Sequence, residues 1–349
     1  MTPRRTLLKL LGAATLSAAA VTFSATASQA TDVTLRLHQL LPAQASVPKN
    51  VLQPWMERIE AASEGRIKFQ HFPSMQLGGK PPELYDQAID GVADIIWTIP
   101  GYTPGRFPRT EVFELPFTIT DAESASRAYW LLGEETMMDA DFKDVKVLAL
   151  WVHAPGVIHS KEPIESIDDL EGVKLRAPTR VTNQMFNALG ATPVGMPVPA
   201  VPEALSKGVI DATVIPWEIT TALKTSELVG NHTEFGGEAL YTTTFVLAMN
   251  KERFNALPDD LKAVIDEHSG LEFSAMAGKQ SAIDGEGPKE LTYDLGNNII
   301  ELTPDQVAEW KAAAQPTIDA WIAEMEAQGI DGAALRNRAL ELIKQHSSM

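Results

Sequence analysis

The alternation of strand-like and helical segments is the feature that most constrains the fold of this 349-residue chain. Residues 33–38 alternate in side-chain character and are rich in β-formers, whereas residues 51–63 place apolar side chains at helical spacing. A second strand-like run, 66–72, follows directly. This β-α-β order with short connections predicts an α/β fold, in which helices cover a sheet.

The same pattern continues along the chain. Further strand-like runs are 93–99, 145–152, 172–177, 211–215, 241–249 and 299–302. Further helical runs are 82–89, 122–132, 183–189, 201–206, 258–267, 271–282 and a long one that begins at Thr303-Pro304 with an N-cap residue and a proline. The Gly-Glu-Gly sequence at 285–287 is only a fragment of a dinucleotide fingerprint with no strand before it, so we expect a loop there.

The first thirty residues predict an export signal. Arg4, Arg5 and Lys9 form a basic region, residues 10–23 are apolar and rich in small side chains, and a small-x-small cleavage site ends at Ala30. The arginine pair resembles a twin-arginine signal; an ordinary secretory signal is the alternative. Either interpretation predicts an exported protein that is cleaved near Ala30.

Composition narrows the function further. Removing residues 1–30 takes away three positive charges and no negative ones, so the formal charge moves from −17 to −20. Such an acidic chain is unsuited to bind nucleic acid, whose phosphates require basic patches. The absence of cysteine excludes a disulfide scaffold and a thiolate metal site. The remaining 319 or so residues are enough for two lobes.

No motif in the sequence supplies catalytic chemistry. The chain lacks a Gly-x-Ser-x-Gly elbow, a His-Glu-x-x-His motif and a P-loop. The aspartates between 139 and 144 lack the glycine and the terminal glutamate of a calcium loop. We therefore expect no catalytic residue, no metal ligand and no cofactor; a metal ion bound together with a ligand stays open.

One arginine stands out at the end of a predicted strand. Arg176 lies in the apolar run 172–177, and Pro178 stops that strand because proline cannot continue a hydrogen-bonded ladder. A helical pattern follows at 183–189. A guanidinium at a strand end is a planar fork for a carboxylate, so Arg176 is a candidate ligand-binding residue. A structural ion pair with an acidic side chain is the alternative.

Several motifs, taken together and in order, resemble the periplasmic solute-binding proteins of TRAP transporters (the DctP-like family). They are 77–79 (Leu-Gly-Gly), 91–95 (Gly-Val-Ala-Asp-Ile), 114–117 (Glu-Leu-Pro-Phe), 168–176 (Asp-Asp-Leu-Glu-Gly-Val-Lys-Leu-Arg), 190–194 (Gly-Ala-Thr-Pro-Val) and 208–212 (Gly-Val-Ile-Asp-Ala). The resemblance covers essentially all of the chain after residue 30. It implies a two-lobed, periplasmic-binding-protein-like α/β fold with crossover strands, a deep cleft and a long C-terminal helix.

The resemblance also implies a division of the chain and a function. The expected division is 31–152 with 242–282 as the first lobe, 153–241 with 283–315 as the second, and 316–349 packed back across both. The implied function is capture of an organic acid in the periplasm by hinge closure, and its delivery to the small and large subunits of a sodium-coupled permease. A ligand sensor for a membrane receptor and, less favoured, an exported enzyme are the alternatives.

In this family the arginine at the position of Arg176 usually grips the ligand carboxylate, and residues within 214–218 usually line the cleft. Many sialic-acid and dicarboxylate binders carry a second arginine in the run that corresponds to 153–160, which has none here. A monocarboxylate therefore fits better. The other candidate contacts are His38 and His153 at strand ends, the aromatic residues Trp97, Tyr102, Trp217, Tyr241 and Phe245, and Met196 and Glu218. If most of the aromatics line the cleft, an aromatic acid such as a hydroxybenzoate is favoured.

Overall fold

The computed structural model describes residues 32–347, which fold around two β-sheets. The predicted export signal lies outside the described residues. The strands are β1 (Val33–Gln39), β2 (Ile67–Phe72), β3 (Ile95–Thr98), β4 (Val145–Val152), β5 (Val157–Ser160), β6 (Lys174–Ala177), β7 (Thr192–Gly195), β8 (Ala212–Ile215), β9 (Asn231–Glu234), β10 (Thr244–Asn250) and β11 (Asn298–Glu301). The α/β class expected from the sequence is confirmed.

The first sheet has the strand order β2-β1-β3-β10-β4. β1 pairs in parallel with β2 and β3, whereas β10 runs antiparallel to both β3 and β4. All seven residues of β10 are buried, as are all four of β3, because helices cover the sheet. We call the part of the molecule that is built on this sheet lobe 1.

The second sheet has the order β11-β9-β5-β8-β6-β7, and we call the part built on it lobe 2. β6 lies between β7 and β8 and is parallel to both, with Arg176 opposite Val194 and Thr213. β7 and β9 have no counterpart in the strands expected from the sequence. The edge strand β7 contains Pro193, which an edge position tolerates, and β9 is the polar run Asn-His-Thr-Glu.

Twelve α-helices cover the sheets within the described residues. They are α1 (Gln53–Ala62), α2 (Leu84–Ile89), α3 (Ala122–Thr136), α4 (Arg180–Ala188), α5 (Val201–Ser206), α6 (Thr220–Leu223), α7 (Thr225–Leu228), α8 (Lys251–Asn255), α9 (Asp259–Glu267), α10 (Leu271–Asp294), α11 (Pro304–Ala327) and α12 (Gly332–His346). The start expected for the long C-terminal helix is confirmed, since Thr303 caps α11 and Gln306 completes a capping box.

The expectation of a loop at 285–287 was wrong, because those residues lie inside α10. The helix packs there against a 3₁₀ turn of lobe 2, Trp217–Ile219. A Cβ added at Gly285 would lie 3.2 Å from the Cβ of Trp217, so the glycine permits the close approach. Tertiary packing thus outweighs the low helix propensity of the two glycines.

The chain crosses between the lobes four times in the described region. Residues 153–156 join β4 to β5, residues 235–243 join β9 to β10, α10 leads from lobe 1 back to β11, and the chain returns to lobe 1 between α11 and α12. α10 contacts α3 and β4 of lobe 1 as well as the Trp217–Ile219 turn of lobe 2. α11 packs on α4 of lobe 2, and α12 packs on α3 of lobe 1. The residue boundaries expected for the lobes stay a prediction.

Two features of residues 32–347 concern membranes and metal ions. None of the helices there combines the length and the apolar character that a membrane crossing requires. The same residues contain no group of three or more histidine, aspartate or glutamate side chains arranged to hold a metal ion.

Candidate ligand-binding site

A cavity lies where strands of both sheets end. The carboxyl ends of β1, β3 and β4 contribute Leu40, Ile99 and His153, and the ends of β6 and β8 contribute Pro178 and Pro216. The space inside the cavity that admits the centre of a water-sized sphere has a volume of about 50 Å³. Ligands of α/β proteins bind outside the carboxyl ends of strands. The cavity is therefore the candidate binding site.

Arg176 is held rigidly in the wall of this cavity. It is the penultimate residue of β6, and the ends of the neighbouring strands offer it carbonyl groups. Its Nε donates to the carbonyl of Met196 at 2.9 Å, and its Nη1 donates to the carbonyl of Val214 at 3.0 Å. These two bonds orient the guanidinium and leave the Nη2 hydrogens for another acceptor.

The charge of Arg176 has no protein counter-ion. Its side chain is only 2% exposed, yet among residues 32–347 no carboxylate forms an ion pair with it. The arginines of two other sites do have such partners, because Arg109 pairs with Asp141 at 2.7 Å and Arg180 pairs with Glu111 at 2.5 Å. An unpaired buried charge costs several kcal/mol. An anionic ligand at Arg176 would remove that cost.

Tyr102 of lobe 1 lies next to the guanidinium of Arg176. Its hydroxyl oxygen accepts the backbone N–H of Val198 at 2.9 Å and lies 3.5 Å from Nη2 of Arg176. With both contacts on the oxygen, the hydroxyl hydrogen is free to donate. Burial raises the pKa of Tyr102, so the hydroxyl keeps its proton at neutral pH. Tyr102 and Arg176 can thus donate to one carboxylate.

His153 faces the cavity as a neutral imidazole. Its Nδ1 lies 2.5 Å from the carbonyl of Ala154, which identifies Nδ1 as the protonated nitrogen. Burial lowers the pKa of His153 to about 4. The hydroxyl of Thr242 donates to the His153 carbonyl at 2.8 Å and holds the backbone in place. His153 therefore adds polarity to the wall without adding a second positive charge.

Flat aromatic rings form the lobe 1 wall. Trp97 lies 5.3 Å from Phe245, measured between ring centroids, and both rings line the cavity. Behind them Trp151 stacks on Trp97 at 6.2 Å with an interplanar angle of 8°. Tyr241 lies edge-on to His153 at 5.3 Å. The wall offers large apolar faces that suit a planar apolar group.

Glu218 adds an uncharged acid to the wall. It lies in the 3₁₀ turn that follows β8 and is 6% exposed. Burial, with a smaller effect of the nearby Asp284 carboxylate, raises the pKa of Glu218 to about 8, against a hydrogen bond from Ser281 that lowers it. The side chain is therefore mostly protonated at pH 7. Its Oε2 is buried and has no hydrogen-bond partner.

A family model supplies the identity of the chain. The model of "Bacterial extracellular solute-binding protein, family 7" (DctP) matches residues 38–325. The chain belongs to this family. The resemblance drawn from the sequence motifs is thus confirmed. Curated relatives include the outer membrane transporter protein TsaT of Comamonas testosteroni, 29% identical over 88% of this chain and 90% of the relative. Another is the C4-dicarboxylate-binding periplasmic protein DctP of Rhodobacter capsulatus, 25% identical over 75% of this chain and 79% of the relative.

Solved structures of TRAP solute-binding proteins share the fold. One from Rhodoferax ferrireducens, in complex with copurified benzoate, is 48% identical with a TM-score of 0.89 and covers 90% of this chain and 99% of that chain. One from a marine metagenome, specific for aromatic acid ligands and bound to 3-hydroxybenzoate, is 46% identical with a TM-score of 0.88 and also covers 90% of this chain and 99% of that chain. A Bordetella bronchiseptica protein with bound mandelate is 28% identical, with a TM-score of 0.83 over those shares.

Of the ten site residues expected for this family member, seven line the cavity. They are Trp97, Tyr102, His153, Arg176, Glu218, Tyr241 and Phe245. The structure thus brings the predicted arginine together with five of the predicted aromatic and acidic side chains and with one histidine. Their contact with a ligand stays a prediction.

The other three expected residues lie elsewhere. His38 lies in scaffold contacts, with Nδ1 2.6 Å from Gln87 Oε1 and Nε2 accepting the N–H of Leu77. Trp217 points away from the cavity and donates to Glu234 at 2.7 Å. Met196 lies beside Arg176 and contributes its backbone carbonyl there, while its side chain faces a separate groove.

Sequence reasoning missed the loop after β1. Four of its residues line the cavity: Leu40, Leu41, Ser46 and Val47. They were missed because residues 40–47 include no charged or aromatic side chain that would mark a ligand contact. Its position after the first strand of a β-α-β unit was the available signal, because such loops meet at the ligand edge of the sheet.

Proposed function

We propose that this protein captures an aromatic monocarboxylate in the cavity between its lobes and delivers it to a TRAP-type permease. The observation that carries the proposal is the buried guanidinium of Arg176, which pairs with no carboxylate of residues 32–347 and faces a cavity with aromatic walls. The solved relatives that hold benzoate and 3-hydroxybenzoate support the same ligand class.

The charges of the wall favour one carboxylate over two. Arg176 is the one lysine or arginine among the lining residues of the described chain. His153 is neutral because burial lowers its pKa, and Glu218 offers no positive charge. A second carboxylate would enter an apolar wall without a cation, which is costly. A planar ring would instead pack on Trp97 and Phe245.

Ligand binding favours the closed arrangement of the lobes. Arg176 belongs to lobe 2, whereas Tyr102 and Trp97 belong to lobe 1. A ligand that contacts both sides stabilises closure relative to an open form, since it gains contacts only when the lobes meet. Closure then changes the outer surface that the permease subunits recognise.

The cellular setting follows from the N-terminal sequence and the family. We place the mature protein in the periplasm, with its signal removed near Ala30. Its partners in this proposal are the small organic acid and the small and large permease subunits, and nucleic acid is not among them. No cofactor or metal takes part. We propose binding without turnover, so the ligand is released unchanged.

Calorimetric titration tests the proposal. Wild-type protein should bind benzoate or a hydroxybenzoate and should bind succinate at least about tenfold more weakly. Arg176→Ala should lose about a hundredfold or more in affinity, because truncating one partner of a buried charge pair costs about 2–5 kcal/mol. Arg176→Lys should also lose affinity, since an ammonium cannot reproduce the planar fork.

Arg127→Ala is the matched control. Arg127 lies on α3, away from the cavity, and pairs with Glu272 at 2.7 Å. This variant should keep wild-type affinity. Unchanged affinity in Arg176→Ala would contradict the carboxylate role. Chemical analysis of the ligand after overnight incubation separates binding from catalysis, because an enzyme would consume it.

A further inference from the structure

Three buried polar atoms in the wall of the cavity form no hydrogen bond within residues 32–347: Oε2 of Glu218, Oγ of Ser46 and Nε1 of Trp97. Glu218 and Ser46 can each donate and accept a hydrogen bond, whereas Trp97 can only donate. An unsatisfied buried polar group costs about 1–3 kcal/mol. Such groups in one cavity indicate a position where a ligand supplies the missing hydrogen bonds.

Ser46 and Glu218 are both held against α10. Ser46 precedes the π-helical turn Val47–Leu52, which packs on α10, and Asn50 of that turn donates to Asp284 at 2.9 Å. Glu218 lies in the turn that packs on the same helix, within hydrogen-bond range of Ser281. The two groups come from different lobes and both line the cavity.

Arg176 occupies a different part of the wall. It is held by carbonyls at the ends of β7 and β8, next to Tyr102, and forms no ion pair with Glu218 although both line the cavity. Tyr241 lies within electrostatic range of both groups. A ligand whose carboxylate reaches Arg176 leaves its ring to face the other lining residues, which include Glu218 and Ser46.

The chemistry of Glu218 and Ser46 matches a hydroxyl group. The protonated carboxyl of Glu218 donates through its O–H and accepts through its other oxygen, and a serine hydroxyl also does both. Burial keeps Glu218 uncharged at neutral pH, so it does not repel an anionic ligand. A phenolic hydroxyl offers one donor and one acceptor, which these two side chains can satisfy together.

We propose that Glu218 and Ser46 form a subsite for a hydroxyl group on the ligand ring. The subsite makes the protein selective for hydroxylated aromatic acids over unsubstituted ones. This inference rests on the proposed function, because the carboxylate at Arg176 sets the orientation of the ring. It assigns Ser46, which carries no charge and no aromatic ring, a role in specificity.

Titrations with matched ligands test the subsite. The ligands are benzoate, 3-hydroxybenzoate, 4-hydroxybenzoate and 2-hydroxybenzoate. Wild-type protein should bind the tighter of the 3- and 4-isomers at least tenfold more tightly than benzoate. Glu218→Leu should remove most of that preference, because it should weaken binding of the hydroxybenzoates more than binding of benzoate. Ser46→Ala should reduce the preference severalfold.

Two controls sharpen the result. Glu218→Gln keeps a neutral donor and acceptor, so it should keep most of the preference for hydroxybenzoates over benzoate. Glu203 is exposed, so Glu203→Leu should leave both that preference and the affinities unchanged. The hydroxyl of 2-hydroxybenzoate lies beside its carboxylate, near Arg176, and its affinity should not depend on Glu218. Thermal unfolding of each variant without ligand confirms that it is folded.

The outcomes separate the two proposals. An equal loss for benzoate and the hydroxybenzoates in Glu218→Leu, or no loss for either, overturns the hydroxyl subsite and leaves the aromatic-acid function intact. Equal affinity of wild-type protein for benzoate and both isomers also overturns it. Failure of all four ligands to bind wild-type protein overturns the proposed function itself.

Discussion

Gly156→Ala adds a single methyl group, which should displace a wall of the cavity. Gly156 lies in the 153–156 crossover and donates its N–H to the carbonyl of Tyr241 at 3.1 Å. A Cβ at this position would lie 1.9 Å from Cε1, 2.4 Å from Cδ1 and 2.7 Å from Cζ of the Tyr241 ring. The ring lines the cavity, so any relief of this clash changes the binding site.

The size of the effect follows from these distances. Carbon atoms in ordinary contact lie about 3.5–4.0 Å apart, so the ring or the crossover must move by roughly 1.5 Å. Overpacking of this kind costs about 1–3 kcal/mol of folding stability. Because the displaced ring moves relative to Arg176, we expect the affinity for the aromatic acid to fall by about tenfold or more.

Urea denaturation and calorimetric titration measure the two effects. The same substitution in a Tyr241→Leu background should cost much less, because the clashing ring atoms are gone, and the difference is the coupling energy of the pair. Gly230→Ala is the control, since a Cβ there meets nothing within 4 Å. Equal losses of stability for Gly156→Ala in the two backgrounds, or unchanged affinity, would refute the reasoning.

Three further predictions follow from other contacts. Tyr102→Phe should weaken binding of the aromatic acid about tenfold or more by calorimetry, because it removes a hydroxyl donor beside the charge of Arg176, while benzene-ring packing is kept. On α10, Gly287→Ala should stabilise the fold by about 0.5–1 kcal/mol, since its Cβ meets open space. Gly278→Ala should destabilise the fold, since its Cβ would lie 2.3 Å from a backbone oxygen of α3. Urea midpoints of the two variants that shift in the same direction would contradict this pair of predictions. The pKa of Glu218 is raised to about 8, so its carboxyl group ionises as the pH rises above 8 and then repels the anionic ligand. The affinity for the aromatic acid should therefore be constant near pH 6–7 and fall above pH 8. Glu218→Gln should abolish that fall.

Of two candidates predicted from their positions at strand ends, one lines the cavity and the other does not. Arg176 and His38 both lie near the ends of strands expected from the sequence, yet only Arg176 lines the cavity. Successive side chains of a strand point to opposite faces, so a position near the end does not decide which face a side chain joins. The side chain of His38 points instead toward α2, where its Nδ1 lies 2.6 Å from Oε1 of Gln87.

The same limit applies to neighbours in a turn. Trp217 and Glu218 follow β8 directly, and both were candidates. The structure turns Trp217 toward His159 and His232, with ring centroids 5.1 and 5.3 Å away, and turns Glu218 into the cavity wall. Composition alone favours the aromatic residue as a ligand contact. The direction of each side chain depends on packing against α10 and lobe 2 behind the turn.

The amino-acid sequence alone predicted the α/β class, the family, the order of most strands and helices, and Arg176 as the candidate carboxylate contact. These depend on local periodicity, on proline and glycine as breakers, and on ordered motifs, all of which are contiguous in the chain. Only the tertiary structure decided that Ser46 and Glu218 meet one cavity, that residues 285–287 continue a helix, and that no carboxylate of the described chain pairs with Arg176. Those facts depend on contacts between residues far apart in sequence, which local patterns do not encode.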